Sequence, residues 1–89
     1  MKEKKITVKN KLGLHARAAA KVVTLTNGFK SVVKIRNGDK AADAKSIMKL
    51  LMLSAPKGTE LTIIANGDDE LSAINNLVNL VKNKFDENE

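Results

Sequence analysis

The chain has 89 residues, 43% of them apolar, which leaves room for one modest core in one domain spanning 1–89. With no cysteine it can hold no disulfide, thiolate nucleophile or cysteine metal site, and a single histidine rules out a multi-histidine metal site. The net charge of +6 is uneven, with 13 basic and 3 acidic side chains in residues 1–49 against 3 and 7 in residues 50–89. The uneven charge predicts one cationic face and an acidic partner, with a merely solvated lysine-rich surface as the alternative. Phe29 and Phe85 are too few aromatics for a base-stacking nucleic-acid module. The Met1–Ile6 start leads into no signal-peptide core, and the Leu50–Leu53 run is far too short to cross a bilayer. A cytoplasmic protein without membrane contact is expected.

Lys5-Ile6-Thr7-Val8 alternates and predicts a first strand, followed by a loop over 10–13. The alanine-rich stretch from Ala16 to Thr26 predicts a helix with Ala19, Val22, Val23 and Thr26 on one face and a stop at Gly28. Ser31 to Arg36 predicts a second strand. Asn37-Gly38 is a strong hairpin signal for a type I′ turn, and Lys40 to Asp43 is the return strand. Ser46 to Ser54 predicts a short helix, ended by Pro56 and Gly58, and Thr59 to Ala65 a fourth strand. In the last helix Leu71, Ile74, Leu77, Val78, Val81 and Phe85 form one stripe. Asp68, Asp69 and Glu70 sit at its positive end and Lys82 and Lys84 at its negative end. The tail Asp86-Glu87-Asn88-Glu89 is expected to fray. The order is βαββαβα. Its economical packing is an open-faced α+β sandwich, a four-stranded antiparallel sheet with three helices on one face.

Three features carry possible chemistry. His15 lies where the Gly13-Leu14 loop becomes a helix, a position whose N–H groups and dipole attract anions and favour a neutral, nucleophilic ring. Arg17 can grip phosphate in bidentate fashion, and Ala16, Ala18, Ala19 and Ala20 leave a large partner free to approach. An imidazole nitrogen there could hold a phosphoryl group. The short helix is apolar around well over half its circumference. Leu50 and Leu53 make one face and Ile47, Met48, Leu51 and Met52 another, of which one is surplus to a small core. Ser46 is placed as a helix N-cap, and a phosphate there would suit the helix start and put negative charge beside the apolar patch.

Gly13-Leu14-His15-Ala16-Arg17 resembles the active-site motif of HPr, the histidine-containing phosphocarrier family of the bacterial phosphotransferase system. Lys45-Ser46-Ile47-Met48 resembles that family's regulatory serine and docking helix, and the element order and length also match. The resemblance implies that His15 takes a phosphoryl group on Nδ1 from enzyme I, charged by phosphoenolpyruvate, and passes it to an enzyme IIA-type acceptor, with no cofactor. It implies that Arg17 neutralises the group, and that Ala20, Thr24, Ile47, Met48, Leu51 and Met52 face partners. It also implies that Ser46 meets a serine kinase or phosphorylase where the host has one, and that the protein is a monomer. Many members have proline where this chain has Ala18. Leu25, the Leu50–Leu53 run and the Phe85-Asp86-Glu87 close are more similar to the nitrogen-related branch. Two other readings stay open: a regulatory binding module acting through Ser46 and the apolar patch, and a small basic RNA-binding domain.

Overall fold

The structure, a computed structural model, describes residues 1–88. Seven elements follow in the order β1 (Lys2–Thr7), α1 (Ala16–Thr26), β2 (Val32–Asn37), β3 (Lys40–Asp43), α2 (Ile47–Leu51), β4 (Glu60–Asn66) and α3 (Glu70–Lys82). The strands form one antiparallel sheet in the order β1-β4-β2-β3. Alternation sets its inner face. Ile6, Val33, Ile35, Ala42, Leu61, Ile63 and Ala65 are buried, while Lys5, Lys34 and Arg36 point to solvent. The helices cover the inner face: α3 packs on β1 and β4, α2 on β3, and α1 beside both helices. This is the open-faced sandwich expected from the element order.

α1 has the predicted bounds, with Ala18, Ala19, Val22 and Thr26 buried and Val23 half-buried. Thr26 satisfies its buried hydroxyl by donating to the Ala44 carbonyl at 2.8 Å. The helix does not end on a left-handed glycine. Asn27 caps it in right-handed geometry, and Gly28 N–H and Phe29 N–H donate to Leu25 and Thr26 in tightened turns.

Three local expectations are corrected. The hairpin turn is centred on Gly38-Asp39, because Asn37 pairs with Lys40 across the strands. Positive φ occurs at Gly38 alone (+60°), which excludes type I′ and matches glycine at the first central position of type II′. α2 ends at Leu51, well short of Ser54: Met52 caps it, and Leu53 and Ser54 turn back onto Leu50 and Leu51 with Ser54 left-handed. The α3 stripe is shorter than the periodicity suggests. Leu71 is 58% exposed, and Phe85 lies beyond the helix in a turn over Lys84–Asp86.

α3 is anchored at its start by an acid that caps nothing. Asp69 occupies the N-cap position without a side-chain cap bond. Its carboxylate accepts instead from Lys30 N–H at 2.8 Å, Ser31 N–H at 2.9 Å and the Ser31 hydroxyl. Those donors, the Ser31 hydroxyl first, hold its carboxyl below the usual aspartate range. The start of α3 is thereby tied to the start of β2.

α2 divides its apolar residues between two environments. Leu50 and Leu53 are buried at 0% and 2% exposure, whereas Met48 is 72% exposed and Leu51 37%. Leu50→Ala and Leu53→Ala should each cost about 2–5 kcal/mol, the range for emptying a core site. Met48→Ala and Leu51→Ala should each cost well under half of that. Denaturant melts of the four variants check the ranking.

Candidate functional site

The site is built from the loop that joins β1 to α1. Val8 extends the β1 ladder, its N–H donating to Thr59 O at 2.9 Å and its carbonyl accepting from Gly58 N–H at 2.8 Å. The chain then turns from Asn10 to Gly13, where Gly13 N–H donates to Asn10 O at 3.2 Å. Gly13 has φ +69°, and a Cβ there would lie 2.4 Å from Ala55 O and 2.7 Å from Pro56 Cα. Only glycine lets the loop lie flat on the 55–56 backbone. The Ala55 carbonyl lies past the end of α2, and Leu14 N–H donates to it at 2.8 Å. Leu14 itself is buried.

His15 follows as the N-cap of α1, with extended backbone (φ −85°, ψ −179°). Its carbonyl accepts from Ala19 N–H at 2.8 Å, and its ring Nδ1 accepts from Arg17 N–H at 3.2 Å. The imidazole thus takes the capping role that Ser, Asn or Asp usually fills. Arg17 and Ala16 are exposed on the first turn, and Ala18 is buried beneath it.

The other face of the ring meets a residue expected to fray. Nε2 of His15 is hydrogen-bonded to Glu87 Oε2, and the two side chains are only 24% and 16% exposed. The second carboxylate oxygen accepts from Asn10 Nδ2 at 2.9 Å, and the same amide nitrogen donates to Gly13 O at 2.7 Å. Asn10 is fully buried. Burial works against a charge on Glu87, but hydrogen bonds from Asn10 and His15, with the nearby Lys21 charge, hold its carboxyl below the usual glutamate range. The tail is therefore docked through Glu87. Of the expected frayed tail, Glu89 lies outside the described residues.

Sequence reasoning missed Asn10 and Glu87. The one available hint was an asparagine three residues before a glycine, a turn signal that says nothing of a partner 77 positions away. Helical spacing from Val81 to Phe85 concealed the turn that brings Glu87 back.

The remaining candidates fall into two groups. Ala20 and Thr24 line a groove between α1 and α3, together with Arg17 and Leu80, and the Thr24 hydroxyl donates to Ala20 O at 3.0 Å. Ile47, Met48, Leu51 and Met52 form the outer side of α2 and are 37–72% exposed. Ser46 caps α2, its hydroxyl accepting from Lys49 N–H at 3.3 Å, and is half-buried. Among the described residues, no group of three His, Cys, Asp or Glu side chains could hold a metal ion, and no helix is long and apolar enough to cross a membrane.

The profile of the "PTS HPr component phosphorylation site" matches residues 2–83. The chain belongs to the HPr family. HPr proteins are the phosphocarriers of the phosphotransferase system, which carry a phosphoryl group and are not turnover catalysts. Phosphocarrier protein HPr of Pseudomonas aeruginosa is 49% identical over 85 residues, covering 94% of each chain. Phosphocarrier protein NPr of Shewanella violacea is 42% identical, covering 96% of this chain and 93% of its own. A crystal structure of HPr from Thermoanaerobacter tengcongensis superposes with a TM-score of 0.95 at 43% identity over the whole of both chains.

A side chain at Gly13 would meet both a left-handed backbone and the Ala55 carbonyl. Gly13→Ala should lose at least about 1–2 kcal/mol through the left-handed backbone alone. The clash with Ala55 should also lift Leu14 from its acceptor. A denaturant melt and faster amide exchange at Leu14 check the two effects.

Proposed function

We propose that this chain accepts a phosphoryl group on Nδ1 of His15 from enzyme I, itself charged by phosphoenolpyruvate, and delivers it to an enzyme IIA-type acceptor. The observation that carries this reading is the position of Nδ1 at the N-terminus of α1, 3.2 Å from Arg17 N–H. As the Nδ1 lone pair attacks phosphorus in line, the donor's bond to phosphorus breaks. Arg17 N–H then loses its nitrogen acceptor and can donate to a phosphoryl oxygen. The helix start favours the arriving negative charge by about 0.3–1 kcal/mol at an exposed site. The Arg17 guanidinium adds charge neutralisation from the same turn. The protein supplies position and electrostatics, which is most of what phosphoryl transfer requires.

Docking is assigned to the exposed apolar side of α2 (Ile47, Met48, Leu51 and Met52) with Ala20 and Thr24 on the neighbouring helix. Flexible methionines suit a surface that must meet a donor and an acceptor in turn. The carrier acts as a cytoplasmic monomer. The alternative of a regulatory module without the relay has no observation in its favour, since His15 and Arg17 are placed together. Regulation through a kinase acting on Ser46 is compatible with the relay.

Purified enzyme I and phosphoenolpyruvate test the relay. His15→Ala should fold and take up no acid-labile phosphate. Arg17→Ala should remain modifiable, with transfer slowed roughly tenfold, the worth of one charge-assisted hydrogen bond. Labelling of His15→Ala, or wild-type rates for Arg17→Ala, would refute the corresponding role.

Ser46→Asp should leave the fold intact, because a carboxylate at a helix start contributes about 0.3–1 kcal/mol in its favour. It should weaken binding to an acidic surface on enzyme I, more so at low salt. Isothermal titration at two ionic strengths checks this, and equal affinities would leave Ser46 as a cap only.

A further inference from the structure

After α3 the chain reverses through three consecutive left-handed residues, Lys84, Phe85 and Asp86, with φ of 56°, 55° and 63°. L-residues adopt this geometry only when the surroundings impose it. Three contacts do so. Phe85 is buried at 1% exposure, Lys21 on α1 donates to the Phe85 carbonyl at 2.6 Å, and Glu87 is shared between Asn10 and His15. The reversal lies beyond residues 2–83, the span matched by the family profile. Its result is an ionised carboxylate against the ring nitrogen opposite Nδ1.

We propose that Glu87 is the positioning residue of the carrier histidine: it fixes the ring proton on Nε2, keeps Nδ1 unprotonated with its lone pair toward the phosphoryl donor, and supplies the counter-charge while Nδ1 carries a phosphoryl group. The inference rests on the reading that Nδ1 of His15 is the phosphoryl acceptor.

The contacts on the two sides of the ring agree on one tautomer. A neutral imidazole has one N–H and one lone pair. Nδ1 accepts from Arg17 N–H, so it carries no proton. Nε2 faces a carboxylate, which only accepts, so Nε2 carries the hydrogen and donates it. Asn10 keeps the carboxylate in place, since its amide donates both to Glu87 and to the Gly13 carbonyl and so joins the tail to the loop that carries His15.

The group-transfer step needs this arrangement. The Nδ1 lone pair forms the N–P bond, and the donor leaves with the electron pair of its own bond to phosphorus. No proton leaves His15, so the ring becomes cationic, with phosphorus on Nδ1 and hydrogen on Nε2. The Glu87 carboxylate is then in contact with that cation. Transfer to the acceptor reverses the step and restores the neutral ring with its proton still on Nε2. Glu87 therefore stabilises the loaded carrier more than the empty one.

The test compares wild type with Glu87→Gln and Glu87→Ala. Glutamine retains the shape but cannot accept from both Asn10 and His15 through separate oxygens. Melts establish that the variants are folded. In ¹⁵N spectra of ring-labelled protein at a pH where His15 is neutral, the Nε2–H tautomer should predominate in wild type and give way to a mixture in both variants. The equilibrium of phosphoryl exchange with enzyme I should shift toward the unphosphorylated carrier, on the order of tenfold. An unchanged tautomer and unchanged exchange equilibrium in folded variants would overturn the role of Glu87. Wild type that takes up no phosphoryl group on Nδ1, by ³¹P and ¹⁵N spectra, would instead overturn the underlying assignment of His15.

Discussion

The Asn10 amide is fully buried, and it donates to the Gly13 carbonyl on one side and the Glu87 carboxylate on the other. The orientation of His15 depends on those two bonds. The first shapes the turn that delivers the chain to α1, and the second holds the acid that grips the ring. A buried amide cannot exchange these partners for water, so loss of either would leave a polar group unsatisfied. The loop, the first helical turn and the tail are consequently one assembly, although they come from opposite ends of the chain.

This assembly rests on backbone contacts between segments with little regular structure. Gly13 lies against Ala55 and Pro56, and Leu14 N–H reaches the Ala55 carbonyl in the segment between α2 and β4. The brevity of α2 explains its exposed side. One turn and a half buries Leu50, with Leu53 just beyond it, and leaves Met48 and Met52 outside.

The left-handed turn at Lys84–Asp86 shows how strain is placed near function. Three residues in an unfavoured region are retained because Phe85 fills the core and because Lys21 and Glu87 find partners on the α1 side. Asp69 does comparable work at the other end of α3, where it ties the helix start to Ser31. Both ends of the last helix are thus held by acids bonded to distant segments, so that α3 links the sheet to the site.

Local patterns decided much of this protein. Alternation placed Ile6, Leu61, Ile63 and Ala65 on the inner face, 3.6-residue spacing gave α1 its bounds, and the two faces of α2 could be read from its leucines and methionines. The Gly13–Arg17 motif marked His15 at a helix start. These signals are legible because each depends on residues within a turn or two of one another. The Gly38-Asp39 turn, the end of α2 and the break before Phe85 were misread, since each depends on backbone geometry that neighbouring residue types only weakly constrain. The pairing of His15 with Glu87 lay further out of reach. It spans 72 positions and exists only because a left-handed turn, a buried phenylalanine and a buried asparagine agree on one place for the tail. No periodicity encodes such an agreement, for it is a property of the packed chain.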